Sequence, residues 1–177
     1  MAISRAMFQR VRTRARHACE YCGVTETDSQ GLLTIDHYRP LAHGGGDDIG
    51  NLVYSCFRCN LYKSSYWPKE DGEAPIWNPR EEPASAHLFE LSDGRVLALA
   101  TIGRETIVRL RLNRAPLVSA RSQKRLTVEW TALYTRLAEI TAALSRAQAD
   151  LRTALTAQNS LLEEQQRILQ ALWTLGP

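Results

Sequence analysis

The chain has 177 residues, 44% of them hydrophobic and 23% charged, and a net charge of +3. Those figures suit one compact domain with additions and exclude a low-complexity or disordered polymer. No apolar run approaches the roughly 20 residues that cross a bilayer, so a membrane span is excluded as well.

The charge is unevenly placed. Arg5, Arg10, Arg12, Arg14 and Arg16 all precede the first acid, Glu20. Residues 1–18 read as a basic arm, with a short helix over 4–16, and Arg12 and Arg14 are candidates for phosphate contacts that add affinity without sequence information. A transit peptide has the same Arg-rich, acid-free character. This arm instead runs straight into a cysteine pair, with no spacer for cleavage.

Four cysteines follow, all in C-x-x-C pairs: Cys19 with Cys22, and Cys56 with Cys59. Paired thiols of this kind point to metal in a reducing compartment rather than to disulfides, so the expected location is cytoplasmic. Each pair grips one side of an ion, and together they make the closed four-thiolate shell of structural zinc. Gly23 closes the first pair as a tight turn. Leu32 to Ile35 reads as a strand ending at Asp36-His37, His43 to Asp48 as a glycine-rich loop, and Leu52 to Tyr54 as a second strand. From Cys59 the pattern is helical, which puts Asn60 and Lys63 on one face.

An imidazole with an unperturbed pKa of about 6.5 suits proton transfer near neutral pH, which makes His37 a candidate base. Asp36 offers a hard oxygen to Mg²⁺ or Mn²⁺, and Asn60 a neutral one. Lys63, Arg39 and Arg58 are candidate phosphate contacts. His43 reads as a loop histidine, and His17 and His87 as structural.

Taken in order, the residues C-x-x-C, Asp36-His37, Pro40, Gly44-Gly45, Asn51-Leu52 and C-x-x-C-Asn60-x-x-Lys63 resemble the HNH endonucleases of the ββα-metal class, in their four-cysteine zinc form. The stretch covers about a quarter of the chain, and Asn60 stands where the family more often has histidine. The resemblance implies an α+β fold with a ββα-metal core over 19–66, and metal-dependent hydrolysis of DNA phosphodiester bonds. It further implies that Asp36 and Asn60 hold the catalytic ion and that Asn51 orients the His37 ring. The alternative is a zinc-stapled module that binds nucleic acid or protein without catalysis. The Asp36-His37-Asn51-Asn60 set favours the enzyme, because a binding module has no use for a general base.

Residues 67–118 read as a linker and a small accessory hairpin and helix. Pro68, Pro75, Pro79, Pro83 and the Asp71-Gly72 pair predict irregular chain. Leu88–Leu91 and Val96–Leu99 flank Ser92-Asp93-Gly94 as a hairpin, and 102–113 favours helix, with Asn113 and Pro116 as stop signals. Residues 119–177 form a long helical arm. Leu126, Leu133, Ile140, Ala147, Ala154, Leu161, Ile168 and Leu175 recur every seven residues, with Trp130, Leu137, Leu144, Leu151, Gln158, Gln165 and Leu172 four after each. This coiled-coil-like seam predicts either a homodimer or partner helix along 119–175, or a hairpin bending near Asn159-Ser160.

Overall fold

A computed structural model describes residues 3–69 and 72–174. Residues 1–2 of the basic arm, Asp71 and Leu175 lie outside the described residues. The chain divides into two compact units, Met1–Arg125 and Leu126–Pro177.

In the first unit, α1 (Arg5–Arg14) starts where the Ser4 hydroxyl accepts the Met7 N–H at 3.2 Å. It ends where Arg16 and His17 turn to positive φ. Its buried face is carried by Val11. The arginines of its last turn are only partly exposed. Arg12 donates twice to Glu26, at 2.6 and 2.7 Å. Arg14 donates to the carbonyls of Ile49 and Leu52 and to Glu20. These contacts set the expected phosphate role of Arg12 and Arg14 back: most of their donors anchor α1 to the chain that follows, and Arg14 Nε is left buried without a partner among the described residues. Arg12 holds the Glu26 carboxyl well below its ordinary range, at about 2, and the Tyr54 hydroxyl donates to the same carboxylate.

A one-turn helix, α2 (Glu26–Ser29), is closed by a capping box between Thr25 and Asp28. Then β1 (Thr34–His37) pairs antiparallel with β2 (Leu52–Ser55), Asp36 opposite Val53 and His37 opposite Leu52. The first strand therefore starts later than its apolar run and takes in the Asp36-His37 pair. All four residues of β2 are buried, and α3 (Phe57–Lys63) leaves directly from its end. The helix begins at Phe57, two residues before the expected start, because Cys56 caps it: the Cys56 sulfur accepts the Cys59 N–H at 3.5 Å.

The accessory chain folds onto this core. β3 (Leu88–Glu90) and β4 (Val96–Ala98) form the expected hairpin, and α4 (Thr101–Arg109) packs on β4. Gly103 permits that approach, since a Cβ there would sit 2.1 Å from the His87 carbonyl oxygen. Ile76, Val96, Leu110, Leu112 and Leu117 join Val11, Leu52 and Tyr54 in one hydrophobic core.

The last helix, α5 (Ala115–Thr174), starts earlier than its seam predicts. Pro116 lies in its first turn, where the missing N–H has no helical partner to lose, so it opens the helix rather than stopping the previous one. Within the second unit the helix runs through Asn159 and Ser160 without a break, which excludes the hairpin bend. Its seam stays in water: Trp130 is 56% exposed, Leu144 60% and Leu172 62%. No helix among the described residues is long and apolar enough to cross a membrane. The protein is a mixed α and β structure with two small sheets, a long C-terminal helix and a cysteine cluster.

Candidate functional site

The four cysteine sulfurs converge from two turns. In the first, Cys19 N–H bonds the Val24 carbonyl and Gly23 N–H bonds the Cys19 carbonyl, both at 2.8 Å, and Gly23 takes φ +76°. The second is the start of α3. The sulfurs of Cys19, Cys22, Cys56 and Cys59 lie within 4.8 Å of one another, and those of Cys22 and Cys56 are 3.7 Å apart. A tetrahedron with Zn–S bonds of about 2.3 Å has edges of about 3.8 Å, so the cluster is compatible with a structural zinc. Hydrogen bonds from the Cys19, Cys22 and Cys59 thiols favour the Cys56 thiolate, pushing it far below the usual thiol range. Arg114 adds a cation from outside the cluster, its Nη2 3.8 Å from the Cys59 sulfur. Burial opposes the charge of that guanidinium, but the neighbouring sulfurs outweigh burial and raise its pKa.

The strand geometry then separates the two adjacent candidates on β1. Successive strand residues face opposite sides, so Asp36 turns into the core and His37 turns out. Asp36 is 6% exposed. One carboxylate oxygen accepts from Lys63 Nζ at 3.1 Å, the other from the Tyr21 hydroxyl at 3.3 Å. Burial pushes the Asp36 carboxyl up, against the opposing pull of Lys63. The same burial pushes the Lys63 ammonium down, against Asp36. Lys63 also donates to the His37 carbonyl at 2.6 Å. Lys63, expected at a phosphate, is instead buried at i+4 from Cys59, and its ammonium serves Asp36.

His37 keeps an open side, with its side chain 19% exposed. Its Nε2 lies 2.7 Å from Asp47 Oδ1. A carboxylate can only accept, so Nε2 carries the proton, and in the neutral ring Nδ1 is then the nitrogen with the lone pair. The Asn51 role is corrected here. Its amide bonds the backbone rather than the ring: Oδ1 accepts the Arg39 N–H at 2.8 Å, and Nδ2 donates to the carbonyls of Arg39 and Gly46. Asn51 clasps the 39–46 loop, and the loop delivers Asp47 to the imidazole. Gly45 lies under that clasp, where a Cβ would meet the Arg39 carbonyl oxygen at 1.8 Å and Asn51 Nδ2 at 2.9 Å.

Asn60 is half-buried on α3, and its side chain makes no hydrogen bond among the described residues. Arg58 is exposed on the same helix, likewise without a partner among the described residues. Arg39 donates to the His43 carbonyl at 2.6 Å and lies over the Trp67 ring. His17 and His87 pair with Glu26 and Glu82. Asp47, Tyr21 and Arg114 escaped sequence reasoning. An acid directly after three glycines was the available signal for Asp47, whereas nothing local marks Tyr21 or Arg114.

Residues 19–65 match the family model described as HNH endonuclease. No curated protein and no solved structure matches the chain. The chain thus carries an HNH endonuclease domain in that segment, with its four cysteines clustered at metal-binding distance. A domain of that family points to a nuclease-type function.

Replacing Asn51 with Ala removes three hydrogen bonds from the 39–46 loop, each contributing about 1 kcal/mol. We expect amide exchange of Arg39 and its loop neighbours to accelerate at least about tenfold, while exchange in α1 and α4 is unchanged. Hydrogen-exchange mass spectrometry reads the result, and unaltered exchange across the loop contradicts the clasp.

Proposed function

We propose that the protein is a metal-dependent endonuclease that hydrolyses DNA phosphodiester bonds, with His37 as general base. The observation that carries the reading is the His37–Asp47 pair at the open end of β1, inside a segment of the HNH family. Asp47 holds Nε2–H, so the lone pair of Nδ1 is available for a proton from water. Deprotonated, that water attacks phosphorus, the P–O3′ bond breaks, and the departing O3′ takes a proton from solvent. Asn51 acts earlier, by fixing the loop that presents Asp47.

Asp36 and Asn60 are the residues that would hold Mg²⁺ or Mn²⁺. Their donors are a carboxylate and a neutral amide oxygen, the hard ligands such ions take along with several waters. Asp36 is already paired with Lys63, so a bound ion would share that carboxylate with the ammonium. When bound, the ion supplies Lewis-acid stabilisation of charge developing on the phosphate. Zinc at Cys19, Cys22, Cys56 and Cys59 is structural: a closed thiolate shell has no open position for substrate. Arg39 and Arg58 remain proposed contacts to the DNA backbone. Free, clustered thiols fit a cytoplasmic protein.

We also assign the seam of α5 to a second helix, most simply another copy of the chain. Leucines and isoleucines left in water along an uninterrupted helix leave it without the burial that stabilises helices. Gln158 and Gln165 in the seam then limit the registers that pair.

Two measurements check these readings. Plasmid should be nicked or cut in Mg²⁺ or Mn²⁺, and His37→Ala should slow cleavage by about 10² to 10⁴ while zinc content and fold persist. A folded variant cutting at the wild-type rate removes His37 from the mechanism, and an inert wild-type protein removes the nuclease reading. Sedimentation equilibrium at micromolar concentration should return the mass of two chains. The mass of one chain removes the dimer.

A further inference from the structure

A polar cavity lies beside the His37 centre, between the C-terminal end of α3 and α4. It is broadly open to solvent, with a volume of about 340 Å³, and His43, Tyr62, Tyr66, Trp67, Lys69 and Arg109 are among its walls. Lys63 joins it to the centre already described, since that residue lines the cavity while its ammonium is turned inward to Asp36 and the His37 carbonyl. Four of these walls, Tyr66, Trp67, Lys69 and Arg109, lie beyond residue 65, outside the segment that the HNH family accounts for.

The cavity has two features that together specify a ligand. The first is charge. Lys63, Lys69 and Arg109 line it, the Lys63 ammonium being held by Asp36, and among the described residues no carboxylate lines it. The second is the way arginines rest on its aromatic walls, Arg109 from within the lining and Arg39 and Arg111 from outside it. Arg109 lies 3.8 Å from the centre of the Tyr66 ring, and Arg39 lies 5.4 Å from that of Trp67. Nearby, Arg111 sits 4.7 Å from the centre of the Tyr62 ring. The rings are themselves fixed: the Tyr66 hydroxyl donates to the Ala74 carbonyl at 2.8 Å, and Trp67 meets Tyr38 edge to face. A guanidinium resting on a ring keeps its N–H groups in plane and directed outward, the fork that suits a phosphate. Glu105 takes part of the Arg109 fork, at 3.2 Å.

The backbone at the cavity's edge is strained to make this arrangement. Ser64 takes φ 51° and ψ −138°, a combination that glycine tolerates and other residues seldom adopt. That turn ends α3 directly after Lys63 and redirects Ser65, Tyr66 and Trp67 along the cavity wall.

We propose that this cavity is a backbone-phosphate subsite, in which Arg109 and Lys69 grip the DNA strand that runs past His37. The proposal rests on the nuclease reading for its choice of ligand. Ring faces already covered by guanidinium leave phosphate, rather than a stacked base, as the group recognised there. A subsite next to the base holds the strand in register and carries no sequence information.

The test is fluorescence anisotropy of a labelled single-stranded oligodeoxynucleotide, titrated with the full chain over a salt series. Mg²⁺ and Mn²⁺ are withheld so that the strand stays intact. Arg109→Ala and Lys69→Ala should each weaken binding about three- to tenfold and reduce the slope of log affinity against log salt by about 0.7, and together by about 1.4. Arg109→Lys should keep the slope but recover only part of the affinity, because an ammonium cannot reproduce the fork. Arg10→Ala, an exposed arginine on α1, is the control and should change little. Zinc content and circular dichroism confirm that each variant is folded. Slopes and affinities that match wild type in both alanine variants overturn the subsite and leave the nuclease reading standing. Wild-type protein that binds no DNA overturns both. Weakened binding in the variants of a protein that cuts no plasmid supports the subsite and counts against the nuclease alone.

Discussion

The convergence of four sulfurs is the constraint on which the rest of the site depends. Two C-x-x-C turns, separated by the 33 residues between Cys22 and Cys56, are brought to within 4.8 Å. Closing such a loop costs entropy that grows only slowly with its length. The cluster sits at the junction of β2 and α3, with Cys56 capping the helix that carries Asn60 and Lys63. Without metal, packed thiols can satisfy one another only by sharing protons. A divalent ion replaces that sharing with bonds whose free energy reaches the order of 10 kcal/mol. Arg114 sets a positive charge against the cluster from beyond the family segment, so the accessory chain contributes to the cluster's electrostatics.

From that junction the strand does the sorting. Because β1 alternates, neighbouring residues with similar promise are given opposite environments. Asp36 is buried against Lys63 and Tyr21, and both partners of its ion pair lose solvation that their attraction only partly offsets. A buried pair of this kind is weak evidence for stability. His37 faces outward instead, and among the described residues the one hydrogen bond on its ring comes from a loop that Asn51 and Gly45 hold in shape. One side of the strand thus gathers charge, and the other carries a partly exposed imidazole.

The sequence made some of this legible, and the reasons differ by element. The cysteine pairs were readable because their spacing has few other uses, and the β3–β4 hairpin because Asp93-Gly94 is strong turn chemistry. The order of strand, loop, strand and helix was readable from apolar runs. Boundaries were less so: apolar character at Leu32 and Leu33 extended β1 too early, when backbone pairing begins at Thr34. The basic arm misled, because counting arginines says nothing about whether Glu26, Glu20 and main-chain carbonyls consume their donors. Lys63 misled for a similar reason, since a helical lysine reads as solvated until the acid beneath it is located. Asp47 and Arg114 act across the fold, at separations of 10 and 55 residues from their partners, and local spacing has no means to pair them. The bend at Asn159-Ser160 failed because both residues are tolerated inside a helix when nothing nearby offers a better turn.

Cobalt titration of metal-free protein tests the central claim most directly, because Co²⁺ in a tetrahedral thiolate shell has intense and distinctive absorption. Thiolate-to-cobalt charge transfer should saturate at one ion per chain. Dispersed amide resonances of β1, β2 and α3 should appear with the same midpoint, since the shell and the fold of this segment form together. Resonances already dispersed before any ion is added, or an absorption spectrum without thiolate character, would contradict the account.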